Sequence, residues 1–120
     1  MTVLSMSQSD IPIQRLTRRP QFLAAARGQS CARGAVVVQA APGEAPDTIR
    51  VGFTATRKIG GAVVRNRAKR RMREAARLLL PLHGTPGRDY VFIARSGTTS
   101  RAWLRLLDDM KSALISLAAN

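Results

Sequence analysis

RKIGGAVVRNRAKRRMREAAR, residues 57–77, holds nine of the chain's twenty Lys and Arg residues and a single acid, Glu74. Gly60-Gly61 breaks the chain, and the residues after it have helical periodicity over 62–80. At 100° per residue, with Arg65 set to zero, Ala68, Met72, Ala75 and Leu79 fall between about 280° and 340°. That is a buried stripe. Arg65, Asn66, Lys69, Arg70, Arg73 and Arg77 occupy roughly 0° to 140°, with Arg67 and Arg71 flanking the stripe near 200° and 240°. A dense basic face on an apolar anchor is built to meet a polyanion. An ordinary solvated helix mixes signs and pairs Glu with Lys four residues on, whereas like charges at that spacing oppose the helix. Membrane binding fits less well, because the stripe is Ala and Met rather than Trp, Phe and Leu.

Working outward, TIRVGFTAT (48–56) alternates in period two, with Ile49, Val51, Phe53 and Ala55 on one face. This predicts a half-buried strand. AVVVQ (35–39) is a second strand, expected antiparallel to it, and AAPGEAPD between them is a loop signal. Phe53 is assigned to the core in preference to a binding surface. Upstream, Thr17 as N-cap, Pro20 in the first turn and Gly28 as stop frame a helix over 18–27. Downstream, Pro81 and GTPG (84–87) end the basic helix. DYVFIAR (89–95) is a strand covered on both faces. Ser100 caps a last helix to about 118, with Trp103, Leu106, Leu107, Met110, Leu114 and Leu117 at helical spacing. Residues 1–13 read as a disordered lead-in, and 14–120 as one domain. The order helix, strands, helix, strand, helix gives a single layered domain of the α+β or α/β class.

Composition agrees. The 120 residues suit one domain. A 45% hydrophobic content supports a real core, while 4% aromatics leave it to Ala, Val, Leu and Ile. The formal charge is +13, and 17 of the 20 cations are Arg, whose planar fork pairs phosphate oxygens. Nucleic acid is the leading partner on charge alone. Cys31 is the only cysteine, which excludes an intrachain disulfide and a Cys-based zinc site and fits a reducing cytoplasm. No apolar run reaches the ~18 residues of a membrane span. His83 sits in a loop-like HGTPG with no second ligand in reach, and Asp108 and Asp109 point apart on a helix. Several converging carboxylates, as a protein-only two-metal nuclease needs, are missing. No catalytic or metal-ligating residue is assigned.

The segment Ala62 to Glu74 resembles the signature A-V-x-R-N-R-x-K-R-x-x-R-E of the bacterial ribonuclease P protein subunit. VGFTATRK (51–58) matches that family's strand pattern V-G-F-(S/T)-x-(S/T)-(R/K)-K. Arg15, Leu16, Phe22 and Ala94-Arg95 match further elements, so the likeness spans roughly residues 14–117. It implies an α-β sandwich like the second domain of a small-subunit ribosomal protein, with a left-handed crossover against the usual rule. It also implies a function. The protein binds a large catalytic RNA, and the holoenzyme cleaves the 5′ leader from precursor tRNA in the cytoplasm. The protein itself is monomeric and does not catalyse; Mg²⁺ is held chiefly by the RNA.

Carried over by position, Arg65, Asn66, Arg67, Lys69, Arg70 and Arg73 contact the catalytic RNA, with Arg57 and Lys58 beside them. Phe22, Arg18, Val36 and Val38 fall in the cleft that receives the leader. Two positions depart from the family: its second aromatic after Phe22 is Ala26 here, and the first strand offers Val36, Val37 and Val38 instead of an aromatic. One rival is a structural ribosomal-type RNA-binding protein, which explains the charge but not the ordered motifs. A DNA-binding domain is the other, and it lacks a helix-turn-helix partner.

Overall fold

The computed structural model describes residues 11–119. Five strands form one mixed sheet in the order β1-β4-β5-β3-β2. These are β1 (Ile13–Arg15), β2 (Gln29–Arg33), β3 (Val36–Pro42), β4 (Ile49–Thr54) and β5 (Arg88–Ala94). Three helices complete the fold: α1 (Arg19–Ala26), α2 (Ala62–His83) and α3 (Trp103–Ala118). This is the α+β sandwich expected.

One sheet face packs against α2 and α3. Val36, Val38, Ile49, Val51, Tyr90 and Phe92 meet Ala68, Met72, Ala75 and Leu80 of α2 and Leu106, Met110 and Leu114 of α3 in one buried cluster. The Met72 side chain is fully enclosed, which contributes about 1.5–3 kcal/mol. The opposite face is covered in part by α1, where Phe22 and Ala25 pack with Leu16, Val91 and Ile93. Helix α1 starts at Arg19 rather than Arg18, with Arg18 as N-cap. The Gln21 side-chain oxygen accepts from the backbone N–H groups of Thr17 and Arg18, both at 3.1 Å. A long amide one turn in thus does the capping expected of Thr17.

Several elements differ from the sequence reading. The expected lead-in overlaps structure at its end. Ile13 begins β1, which runs parallel to β4 with Ile13 opposite Ile49, and Ile11 packs against the core; residues 1–10 lie outside the described residues. Strand β2 has no counterpart in that reading, because QSCAR buries only Cys31 and shows little apolar pattern. It forms a hairpin with β3 around Gly34, whose φ is +50°. Any Cβ there would overlap the Asp109 carboxylate.

β4 is not the antiparallel neighbour of β3. β5 lies between them, antiparallel to β3 and parallel to β4. Hydrophobic runs specify which strands are inside, not which lie adjacent. Helix α2 passes through Pro81 and ends at His83. Pro81 withholds one N–H from the ladder, but Leu79 and Leu80 are buried and Gly84 N–H bonds the Leu80 carbonyl at 2.8 Å. Packing outweighs the single lost bond. The N-cap of α3 is Ala102 rather than Ser100. Thr98 instead ties the preceding loop down, its hydroxyl donating to the Ala35 carbonyl at 2.7 Å.

Candidate nucleic-acid interface

The basic face begins before its helix. Arg57 and Lys58 lie exposed on a single 3-10 turn, Arg57–Ile59, which abuts the start of α2. Gly60, at φ +145°, makes the corner; a Cβ there would press on Val64 at 2.9 Å. The first turn of α2 contains no acid. Cations beside a helix N-terminus oppose the macrodipole by about 0.3–1 kcal/mol each. Within α2, Arg65–Lys69, Lys69–Arg73 and Arg73–Arg77 are like-charge pairs four residues apart, each costing about 0.2–0.5 kcal/mol. An external anion relieves all of these terms together.

The apolar stripe falls where periodicity placed it: Ala68, Met72, Ala75 and Leu79 are buried, joined by Ala76 and Leu80. Asn66, Arg67, Arg70 and Arg73 are exposed, and Arg65 and Lys69 are half-buried. Arg65, Asn66, Lys69, Arg70 and Arg73 therefore share one face of α2 with Arg67 at its margin, and Arg57 and Lys58 lie on the turn that abuts its start. Among the described residues, no carboxylate pairs with any of these cations. Arg65 Nε is buried without a hydrogen-bond partner among the described residues.

The acids are engaged elsewhere. Asp89 receives Arg50 through two bonds, Nε at 2.8 Å and Nη2 at 2.7 Å, and the hydrogen bond holds the Arg50 pKa above its ordinary value. Asp109 takes Arg101 Nε at 3.0 Å and also accepts from Ala35 N–H, so the Arg101 pKa is raised likewise. Glu74 bonds Arg77 at 2.6 Å. Asp89 and Asp109 thus clamp the scaffold, and no described carboxylate bonds Arg57, Lys58, Arg65, Arg67, Lys69, Arg70 or Arg73.

Arg71 is an exception among the helix's cations. Its guanidinium donates to the backbone carbonyls of Thr98 and Arg101 and lies 5.9 Å from the centre of the Trp103 ring. It fastens the α3 entry loop to α2. Helical angle alone, which puts Arg71 beside the stripe near Arg67, does not separate a strut from a ligand.

The second surface lies on the α1 side of the sheet. Val37, Ile93 and Thr54 stand in register across β3, β5 and β4, all half-buried. Phe22 lies beside this strip, seated over Gly52, where a Cβ would overlap its ring. Arg18 is exposed at the start of α1. Val36 and Val38 do not belong to this surface. Both are fully buried in the core under α2 and α3, because strand alternation turns them to the opposite face from Val37. Val37 is the valine of β3 that lies on this surface. Phe53, half-buried, stands on the core side as expected. It stacks on Phe92 with centroids 5.7 Å apart and carries the Arg73 guanidinium 5.7 Å above its centre.

Comparison with known proteins agrees with this geometry. The family model described as Ribonuclease P matches residues 12–118. The chain is 63% identical over 111 residues to the ribonuclease P protein component of Caulobacter vibrioides (strain NA1000 / CB15N), covering 92% of this chain and 74% of that one. Against the ribonuclease P protein component of Ruegeria pomeroyi it is 53% identical over 110 residues, covering 89% and 88%. The solved RNase P protein from Thermotoga maritima superposes with a TM-score of 0.71 at 26% identity, covering 85% of this chain and 96% of that one. A bare basic helix on an α+β sandwich and matches along nearly the whole length lead to one conclusion: the chain belongs to the ribonuclease P protein family, as the protein component that joins the RNase P RNA in a ribonucleoprotein.

Proposed function

We propose that this chain holds the catalytic RNA on the basic face of α2 and receives the 5′ leader of precursor tRNA on the α1 face. In that arrangement it supports endonucleolytic removal of the leader without contributing a catalytic residue. The observation that carries the reading is the set Arg57, Lys58, Arg65, Arg67, Lys69, Arg70 and Arg73, which no described carboxylate bonds, most of them on a helix anchored by a buried stripe. An A-form RNA backbone is bound by such groups without reading its sequence. Single-stranded leader suits the other face, where Phe22 offers a ring for stacking and Arg18 a charge, a sequence-tolerant mode. With Ala26 in place of a second aromatic, Val37 and backbone groups take a larger share.

Mg²⁺ belongs to the RNA in this reading. Among the described residues, no three His, Cys, Asp or Glu side chains converge to hold a metal ion, so no step is routed through a protein-bound metal. The protein acts as a monomer in the cytoplasm.

Site-directed cleavage tests the two faces. Cys31 is buried, so a cysteine introduced at an exposed position takes a tethered hydroxyl-radical probe selectively once Cys31 is replaced by Ser. A probe on Arg67→Cys should cut the catalytic RNA, and one on Arg18→Cys should cut the leader. Cuts in the leader from position 67, or none in the catalytic RNA, would reverse the assignment.

A further inference from the structure

On the α2 side of the sheet, the outer edge of the molecule holds a slot that shares Arg73 with the basic face. Its volume is about 240 Å³, and Ile13, Arg15, Val51, Phe53, Arg73 and Leu80 line it. The slot exists because β1 stops early. Arg15 is opposite Val51, so among the described residues no strand pairs with the outer edge of β4 from Gly52 to Thr54, and the slot lies between that edge and α2. Its walls are mostly carbon while its mouth is cationic. Arg15 and Arg73 are exposed, and no described carboxylate bonds either one. Arg77, also at the mouth, is held by Glu74. A smaller hollow of about 120 Å³ shares Arg15, Val51, Phe53 and Arg73 and adds Lys69 on one side and Leu16, Phe22 and Gly52 on the other, so the rim adjoins both the basic face and the Phe22 surface.

We propose that this slot receives one unstacked base of the RNA subunit, with the adjoining phosphates on Arg15, Arg73 and Lys69. This rests on the reading of the α2 face as the RNA-subunit interface. Three features select a nucleotide over other occupants. Apolar walls take a flat ring but do not reward a bare phosphate. A guanidinium lying over Phe53 makes a mixed cation-aromatic wall, against which any base can stack regardless of sequence. The slot is also smaller than the ~300–1,000 Å³ typical of cofactor sites, which limits it to a single base. An acidic peptide would satisfy the rim and leave the walls unfilled.

The test begins with the full chain and a simple probe. AMP is titrated into methyl-labelled protein, with ribose 5-phosphate and inorganic phosphate as parallel ligands. The expected result is movement of the Val51 and Leu80 methyl resonances with AMP alone, while all three ligands move the amides of the basic face. Equal responses to the three ligands would mean a phosphate site without a base pocket, and would overturn the proposal. So would contacts from Val3 or Leu4 to those methyls that AMP leaves unchanged, since the chain's own N-terminal segment would then fill the slot.

The second arm separates the RNA source. Phe53→Leu keeps apolar volume but removes the ring, and should weaken binding of the RNA subunit about 10-fold, within the range of one base–aromatic stack. Its affinity for a leader oligonucleotide should not change. Phe22→Ala should show the reverse pattern. If Phe53→Leu weakens leader binding instead, the base comes from the substrate and the proposal fails. Loss of RNA-subunit binding in an Arg67→Met, Arg70→Met protein that still shows the AMP response would sustain the α2 interface and the slot separately. If that protein keeps full RNA-subunit affinity while AMP still moves the slot methyls, the interface reading fails and takes the proposed RNA source with it.

Discussion

Arg70 and Arg71 are neighbours in sequence with opposite work in the structure, and replacing each by Met separates RNA binding from stability. Arg71 donates to two backbone carbonyls and lies over Trp103. A hydrogen bond to a charged group contributes about 1.5–3 kcal/mol, and losing it leaves part-buried carbonyls unsatisfied. Because Arg71 is only half-buried, the two bonds together are discounted to about 2–4 kcal/mol. For a domain of this size that lowers Tm by roughly 8–16 °C. Arg70 is exposed and makes no bond within the described residues, so its replacement should change stability by less than about 0.5 kcal/mol. Its effect appears in salt dependence. If each cation neutralises one phosphate, removing Arg70 flattens the plot of log K against log salt by about 0.7–0.9, measured between ~50 and ~200 mM salt. Arg71→Met should leave that slope unchanged. Thermal unfolding by circular dichroism and filter binding to a ribonuclease P RNA measure both. An Arg71→Met protein with wild-type Tm and a flattened slope would refute the division of roles.

The same geometry sets further expected outcomes. Gly52→Ala places a methyl group into the Phe22 ring; the expected cost is about 1–3 kcal/mol, with leader affinity reduced and RNA-subunit affinity kept, and unchanged leader binding would remove Phe22 from the cleft. Val38→Ala should lower stability by about 2 kcal/mol because the side chain is fully buried. Val37→Ala should cost less than ~1 kcal/mol and weaken leader binding, and urea unfolding of the pair shows which valine faces the core. Sulfate should raise Tm, since a tenfold excess over its Kd contributes about 1.4 kcal/mol. No shift at millimolar sulfate would count against a concentrated anion site.

Much of α2 is legible in the sequence because one periodicity controls both of its faces: Met72 is buried and Arg70 exposed for the same angular reason. Its end is not, because Pro81 is a local signal, while the burial of Leu79 and Leu80 is a tertiary one. Strand existence is readable in the apolar runs of β3, β4 and β5. Adjacency is not, since no local pattern tells Ile49–Thr54 to lie beside Arg88–Ala94 across a helix. Short edge strands escape for another reason. Ile13–Arg15 is exposed throughout and owes its place to pairing with β4. In the candidate site, the basic positions are legible, but Val36 and Val38 fall on the opposite face from the one expected. A run of three valines carries no alternation to orient it. The slot at Phe53 depends on where β1 stops, which the sequence does not mark.

The most direct test of the central claim is cleavage of a precursor tRNA by a bacterial ribonuclease P RNA at low Mg²⁺, with and without this protein. Protein alone should give no cleavage, and both together should give cleavage at the mature 5′ end. A protein that binds the RNA but leaves the cleavage rate unchanged would contradict the proposed function.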